Sequence, residues 1–73
     1  MSTLPVVSGR RVITALQRLG DVVRDQEGSH VHLRHQTRRP LTVPNHKEIA
    51  RGTLREIIRQ ADLTVEAFLR LLS

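Results

Sequence analysis

Two periods of apolar residues alternate along this chain of 73 residues. Val12, Ile13, Leu16 and Leu19 recur at helical spacing behind Ser8, a residue suited to accept the free amides of a first turn. Gly20 follows where a helix commonly closes. A first helix over 8–19 is therefore expected, with Arg10, Arg11, Gln17 and Arg18 toward solvent. From Asp21 to Val43 the period changes to two, with turn signals at Glu27-Gly28-Ser29 and at 36–39, which predicts three short antiparallel strands joined by hairpins. The first strand, over 22–26, has only Val22 and Val23 as strand formers among Asp21, Asp25 and Glu27, and reads as an edge. The second, over 30–35, buries Val31 and Leu33. The third, over 41–43, buries Leu41 and Val43 and is bounded by Pro40 and Pro44, which cannot donate ladder hydrogen bonds.

After a loop at 44–47 and a brief turn at 47–51, Thr53 and Glu56 have the spacing of a capping box opening a second helix, with Leu54, Ile57, Ile58 and Ala61 inward and Arg51, Arg55 and Arg59 outward. Thr64 caps a short last helix carrying Val65, Phe68, Leu69 and Leu72, with Glu66 placed well for the helix dipole. Residues 1–7 show no periodicity and are expected to form a flexible N-terminal tail ahead of a single domain over 8–73.

The fold class that satisfies all these stripes is α+β, a three-stranded antiparallel sheet in α-β-β-β-α order with helices on one face and a short C-terminal helix. The other sheet face stays wet. On a strand, alternate side chains share a face, so His30, His32 and Arg34, with Thr42 from the neighbouring strand, fall on that open side.

Composition adds a partner class. The formal charge is +5 and the chain holds 12 Lys+Arg; of these only Lys47 is lysine. Arginine's planar fork matches phosphate oxygens two at a time, and a basic small domain gains counterion-release energy on nucleic acid. With Phe68 as the single aromatic, base stacking is not the main grip. There are no cysteines, which removes disulfides and thiolate metal sites. No apolar run approaches a membrane span and no signal peptide precedes the first helix, so a soluble, cytoplasmic protein is expected. A core this small makes a homo-oligomer or a tight partner plausible.

Several of these residues match a known family. Ser8-Gly9 opens the first helix and Gly28-Ser29-His30 forms the hairpin. Arg34-His35 ends the second strand, and Thr42-Val43-Pro44 is followed by His46 and Lys47-Glu48-Ile49. Gly52-Thr53-Leu54-Arg55, Gln60-Ala61 and Val65-Glu66 complete the series. Together they resemble the HicA-type (YcfA-like) mRNA interferase toxins of type II toxin–antitoxin pairs, whose fold is like that of double-stranded-RNA-binding domains. The resemblance implies cleavage of single-stranded mRNA, a HicB-type antitoxin partner, and a catalytic histidine at the position of His30. This chain departs from the family pattern at Asp21, at Asp25-Gln26-Glu27 and at Leu33, which places carboxylates beside the expected RNA path.

Metal-free RNA cleavage needs a base for the 2′-hydroxyl proton, an acid for the leaving 5′-oxygen, and cations around the phosphorane. Histidine serves either role near neutral pH. His30 is expected to be catalytic, with His32 or His46 as a second acid/base. Arg34, Arg38, Arg39, Lys47, Arg51 and Arg55 are candidates for RNA phosphate contacts, Gly28 and Ser29 shape the turn, and His35 on the other face is structural or solvated. No cofactor is implied. Metal ligation by His30, His32 and His46 is a weaker alternative. So is a non-catalytic RNA-binding or protein-interaction module on the same fold.

Overall fold

The computed structural model describes residues 3–73, and Met1 and Ser2 of the expected tail lie outside the described residues. The element order is α1 (Gly9–Arg18), β1 (Val22–Glu27), β2 (His30–Arg34), β3 (Leu41–Pro44), α2 (Arg51–Gln60) and α3 (Val65–Leu72). The sheet is antiparallel with β2 in the centre, in spatial order β1-β2-β3. This is the α+β arrangement that the apolar periodicity requires, with the last two helices separated by a tight turn.

Local chemistry explains where the elements begin and end. The Ser8 side chain accepts from the Arg11 amide at the start of α1 and Thr64 accepts from Ala67 at the start of α3. Gly20 adopts φ +110° just after α1, a conformation that side chains other than glycine rarely take. The capping box expected at Thr53 does not form. Helix α2 begins at Arg51 behind Ala50, which gives no side-chain cap. Thr53 and Glu56 therefore lie inside the helix, where Glu56 instead accepts from Arg59 and Gln60.

The core is one cluster beneath the sheet. Val31 and Leu33 of β2 and Leu41 and Val43 of β3 meet Val12, Ala15 and Leu16 of α1, Leu54, Ile57 and Ile58 of α2, and Phe68 of α3. Alternation along β2 and β3 sends these four strand residues to the helices and leaves their neighbours on the far side. All six residues of β1 are exposed, because no helix reaches beneath it. That confirms the edge assignment and leaves Val22 60% and Val23 40% exposed.

One sequence expectation changes. Residues 3–7 are not a loose tail: Leu4 and Val7 are 1% and 2% exposed, within the core, and the Val7 carbonyl accepts from the Ile49 amide at 2.9 Å. Two apolar side chains three apart in an extended segment carry too little periodicity to be read as packed, yet they close one end of the cluster. Arg18 is exposed, as expected, but it is also tethered. Its guanidinium donates to the carbonyls of Leu71 at 2.6 Å and Ser73 at 2.9 Å, satisfying carbonyls that the last turn of α3 leaves free and placing positive charge at the negative end of that helix.

Candidate functional site

The hairpin between β1 and β2 positions the site. Its loop is the two residues Gly28 and Ser29, closed by Glu27 opposite His30. Gly28 takes φ +57° and Ser29 does not have a positive φ, the signature of a type II′ turn, whose twist suits a tight hairpin. A Cβ on Gly28 would meet nothing within 4 Å. Glycine is thus needed there for its backbone angle and not for space.

A second tether fixes this turn from the other side. The Asn45 amide donates to the Ser29 carbonyl at 2.6 Å, and His46 Nε2 lies 3.2 Å from Ser29 Oγ. The loop that carries Asn45 and His46 is in turn pressed against the start of α1. The Gly9 amide donates to the His46 carbonyl at 2.8 Å, and a Cβ at Gly9 would stand 2.3 Å from the Pro44 carbonyl oxygen and 2.7 Å from Asn45 Cα. Ser29 thus bonds across to another loop through both its carbonyl and its hydroxyl.

His30 is exposed, and its ring has no hydrogen bond or ion pair among the described residues. Opposite it on β3 stands Pro44, whose lack of an N–H suits a position at the end of an edge strand. His32 shares the open face but is occupied at both ring nitrogens. Thr42 Oγ1 lies 3.2 Å from Nδ1, while Nε2 lies 3.4 Å from Glu27 Oε1 and 3.9 Å from Asp25 Oδ1. His32 therefore ties all three strands together across the wet side of the sheet. Asp25 also accepts from Arg24 Nε at 3.1 Å. The two-residue turn sets Glu27 opposite His30 and Asp25 opposite His32, so both carboxylates share the face of the two histidines. Beyond them the ladder slips between Val23 and Asp25, leaving Arg24 as an extra residue in β1.

The cations expected to contact phosphate divide into two groups. Arg34, Arg39, Lys47, Arg51 and Arg55 are exposed, and their side chains make no hydrogen bond or ion pair among the described residues. Arg38 is different: its side chain is 5% exposed and donates to the Asp21 carboxylate, whose side chain is wholly buried. A guanidinium folded into an internal ion pair is not available to phosphate, which removes Arg38 from the expected phosphate contacts. Asp21 likewise does not lie beside the open face. It follows α1, with its amide donating to the Leu16 carbonyl. Nothing in the local sequence joins Asp21 to a residue 17 positions away, so only the tertiary fold reveals the pair.

His35 is structural. The Thr37 amide donates to its Nδ1 at 3.2 Å, which makes Nε2 the protonated nitrogen that donates to the Leu19 carbonyl, also at 3.2 Å. The ring thereby joins the end of β2 to the end of α1.

Among the described residues no group of three or more His, Cys, Asp or Glu side chains is arranged to hold a metal ion, and no helix is long and apolar enough to cross a membrane. No curated protein matches the chain. Residues 9–63 match the family model described as the HicA toxin of bacterial toxin–antitoxin, a span that runs from the first residue of α1 past the end of α2 and contains the hairpin, His30, His32 and His46. By that match over most of its length, the chain belongs to the HicA toxin family of bacterial toxin–antitoxin systems.

Proposed function

We propose that this HicA-family chain is a metal-independent endoribonuclease that cleaves single-stranded mRNA in the cytoplasm with His30 as an acid/base, and that a HicB-type antitoxin silences it by covering the open sheet face. The observation that carries this reading is the state of His30. It is a histidine on a rigid hairpin, exposed, with both ring nitrogens free to meet a substrate. A histidine kept only for packing has bonds of the kind that His35 makes. The unpaired cations Arg34, Arg39, Lys47, Arg51 and Arg55 supply phosphate contacts, in keeping with a net charge of +5.

The test is incubation of a transcript with purified protein in EDTA beside His30→Ala. The parent is expected to produce fragments ending in 2′,3′-cyclic phosphate, and the variant to lose about 10²–10⁴-fold in rate with an unchanged melting temperature. Equal cleavage by His30→Ala overturns the assignment. Salt-sensitive retention of intact RNA by the parent would instead make the chain a binding module.

A further inference from the structure

On the reading that this chain cleaves RNA with His30, we infer that Glu27 is the second reacting group, the general base that faces His30 across the hairpin. Cleavage through the 2′-hydroxyl needs one group to remove a proton and another to supply one, on either side of a single phosphodiester. The residue sought must therefore share His30's face, lie within one cross-strand step of it, and hold an acceptor that no protein donor saturates.

Three of the four candidates fail one of these conditions. His32 is on the right face, but Thr42 occupies Nδ1 and the two carboxylates flank Nε2. His46 lies beyond the end of β3 on a loop, is no register partner of His30, and turns its Nε2 to Ser29 Oγ in the turn. Asp25 stands opposite His32, two register pairs further from the turn, and accepts from Arg24.

Glu27 meets all three conditions. It is the register partner of His30 and closes the two-residue turn with it, so the two Cβ atoms are about 4.5–5.5 Å apart on one face. Its side chain is 83% exposed. It makes no ion pair with His30 among the described residues, so a phosphodiester can enter between them. Its one partner is His32, 3.4 Å away, and a carboxylate with two oxygens keeps acceptor capacity beyond that contact. Thr42, His32 and Glu27 thus form a chain of contacts running from β3 through β2 to β1, and it ends on the carboxylate beside His30.

The step balances. The 2′-hydroxyl proton passes to the Glu27 carboxylate as the O2′–P bond forms. The P–O5′ bond breaks, and the 5′-oxygen takes the proton carried by the His30 imidazolium. The products are a 2′,3′-cyclic phosphate and a free 5′-hydroxyl, and proton exchange with water restores both side chains.

The experiment measures cleavage of one transcript across pH by the parent, Glu27→Gln, Glu27→Ala, His32→Ala and His30→Ala, with RNA retention and melting temperature for each. A general base predicts that Glu27→Gln loses about 10²–10⁴-fold in kcat while holding RNA as tightly as the parent or tighter, since a negative charge has left the face. It also predicts that the acidic limb of the parent's pH profile disappears in this variant. His32→Ala, which releases the carboxylate but leaves it in place, lowers kcat by less than Glu27→Gln does. If Glu27→Gln cleaves at the parent rate while His30→Ala is inactive, Glu27 is not the base and the nuclease reading stands. If the parent shows no cleavage beyond that of His30→Ala, the nuclease reading fails and this inference fails with it.

Discussion

Arg38 reaches from the β2–β3 hairpin to the carboxylate of Asp21, and the two side chains are 5% and 0% exposed. This places an ion pair inside a domain whose other buried side chains are apolar. The second carboxylate oxygen, Asp21 Oδ2, is buried without a hydrogen-bond partner among the described residues. One guanidinium contact therefore carries the neutralisation of that charge.

Removing one partner strands the other. Arg38→Ala is expected to destabilise the fold by about 3–5 kcal/mol, because an uncompensated carboxylate is left in the interior. The double change Arg38→Met with Asp21→Leu is expected to recover most of that loss, since an apolar pair of similar size has no charge to desolvate. Urea unfolding of the parent, the single variant and the double variant checks both statements. A double variant no more stable than Arg38→Ala would show that the pair is needed for more than charge balance.

The packed N-terminal segment makes a separate prediction. Leu4 is 1% exposed, and truncating a buried leucine removes its transfer energy and leaves a cavity. Leu4→Ala is expected to cost about 2–5 kcal/mol, whereas Val6→Ala, at a site 57% exposed, is expected to fall within about 0.5 kcal/mol of the parent. Chemical unfolding curves separate the two. Indistinguishable midpoints would return the segment to the status of a loose tail.

On α2, the hydrogen bond from Arg59, followed by that from Gln60, lowers the Glu56 carboxyl from its ordinary 4.5 to about 2. The Arg59 guanidinium is raised by the same contact. A carboxyl whose folded value is depressed stabilises the fold fully above its unfolded value and ceases to do so as pH falls through the folded one. The difference in melting temperature between parent and Glu56→Gln is therefore expected to be present at pH 7, to shrink from pH 4.5 downward, and to vanish below about 2. Both groups are exposed to solvent, so the effect is small, and about 1 M salt, with a screening length of about 3 Å, should reduce it further. A difference that grows on acidification would contradict the assignment.

The sequence was most informative where one residue's chemistry acts on its own neighbours. Ser8 and Thr64 as caps, Gly20 as a helix terminator, the three strands and the weak first edge are all visible in spacing alone. The face shared by His30 and His32 follows from alternation. What could not be read depends on partners distant in the chain. Arg38 resembles any other surface arginine until the fold closes it over Asp21. Arg18 is a solvated charge as its spacing suggests, but its partners, the carbonyls of Leu71 and Ser73, lie 53 and 55 residues away. Thr53 and Glu56 have a cap's spacing, but the helix starts earlier, at Arg51, and spacing alone does not say where a helix begins. Alternation alone puts His32 and His30 on one face, and the resemblance singles out His30; that His32 is held at both ring nitrogens by Thr42, Asp25 and Glu27 depends on the rotamers of neighbouring strands.

The edges of the sheet have a consequence for how copies of this chain meet in a crowded solution. A three-stranded sheet has two outer strands, and each is a template for stacking further strands into an aggregate. On β3 the bounding prolines, Pro40 and Pro44, have no N–H to offer an arriving strand. On β1 the extra residue at Arg24 breaks the even ladder, and Asp25 and Glu27 put carboxylates where a stacking neighbour would lay its own. The same acidic residues that depart from a phosphate-binding pattern thus keep Val22 and Val23, both exposed on that strand, from starting a fibre.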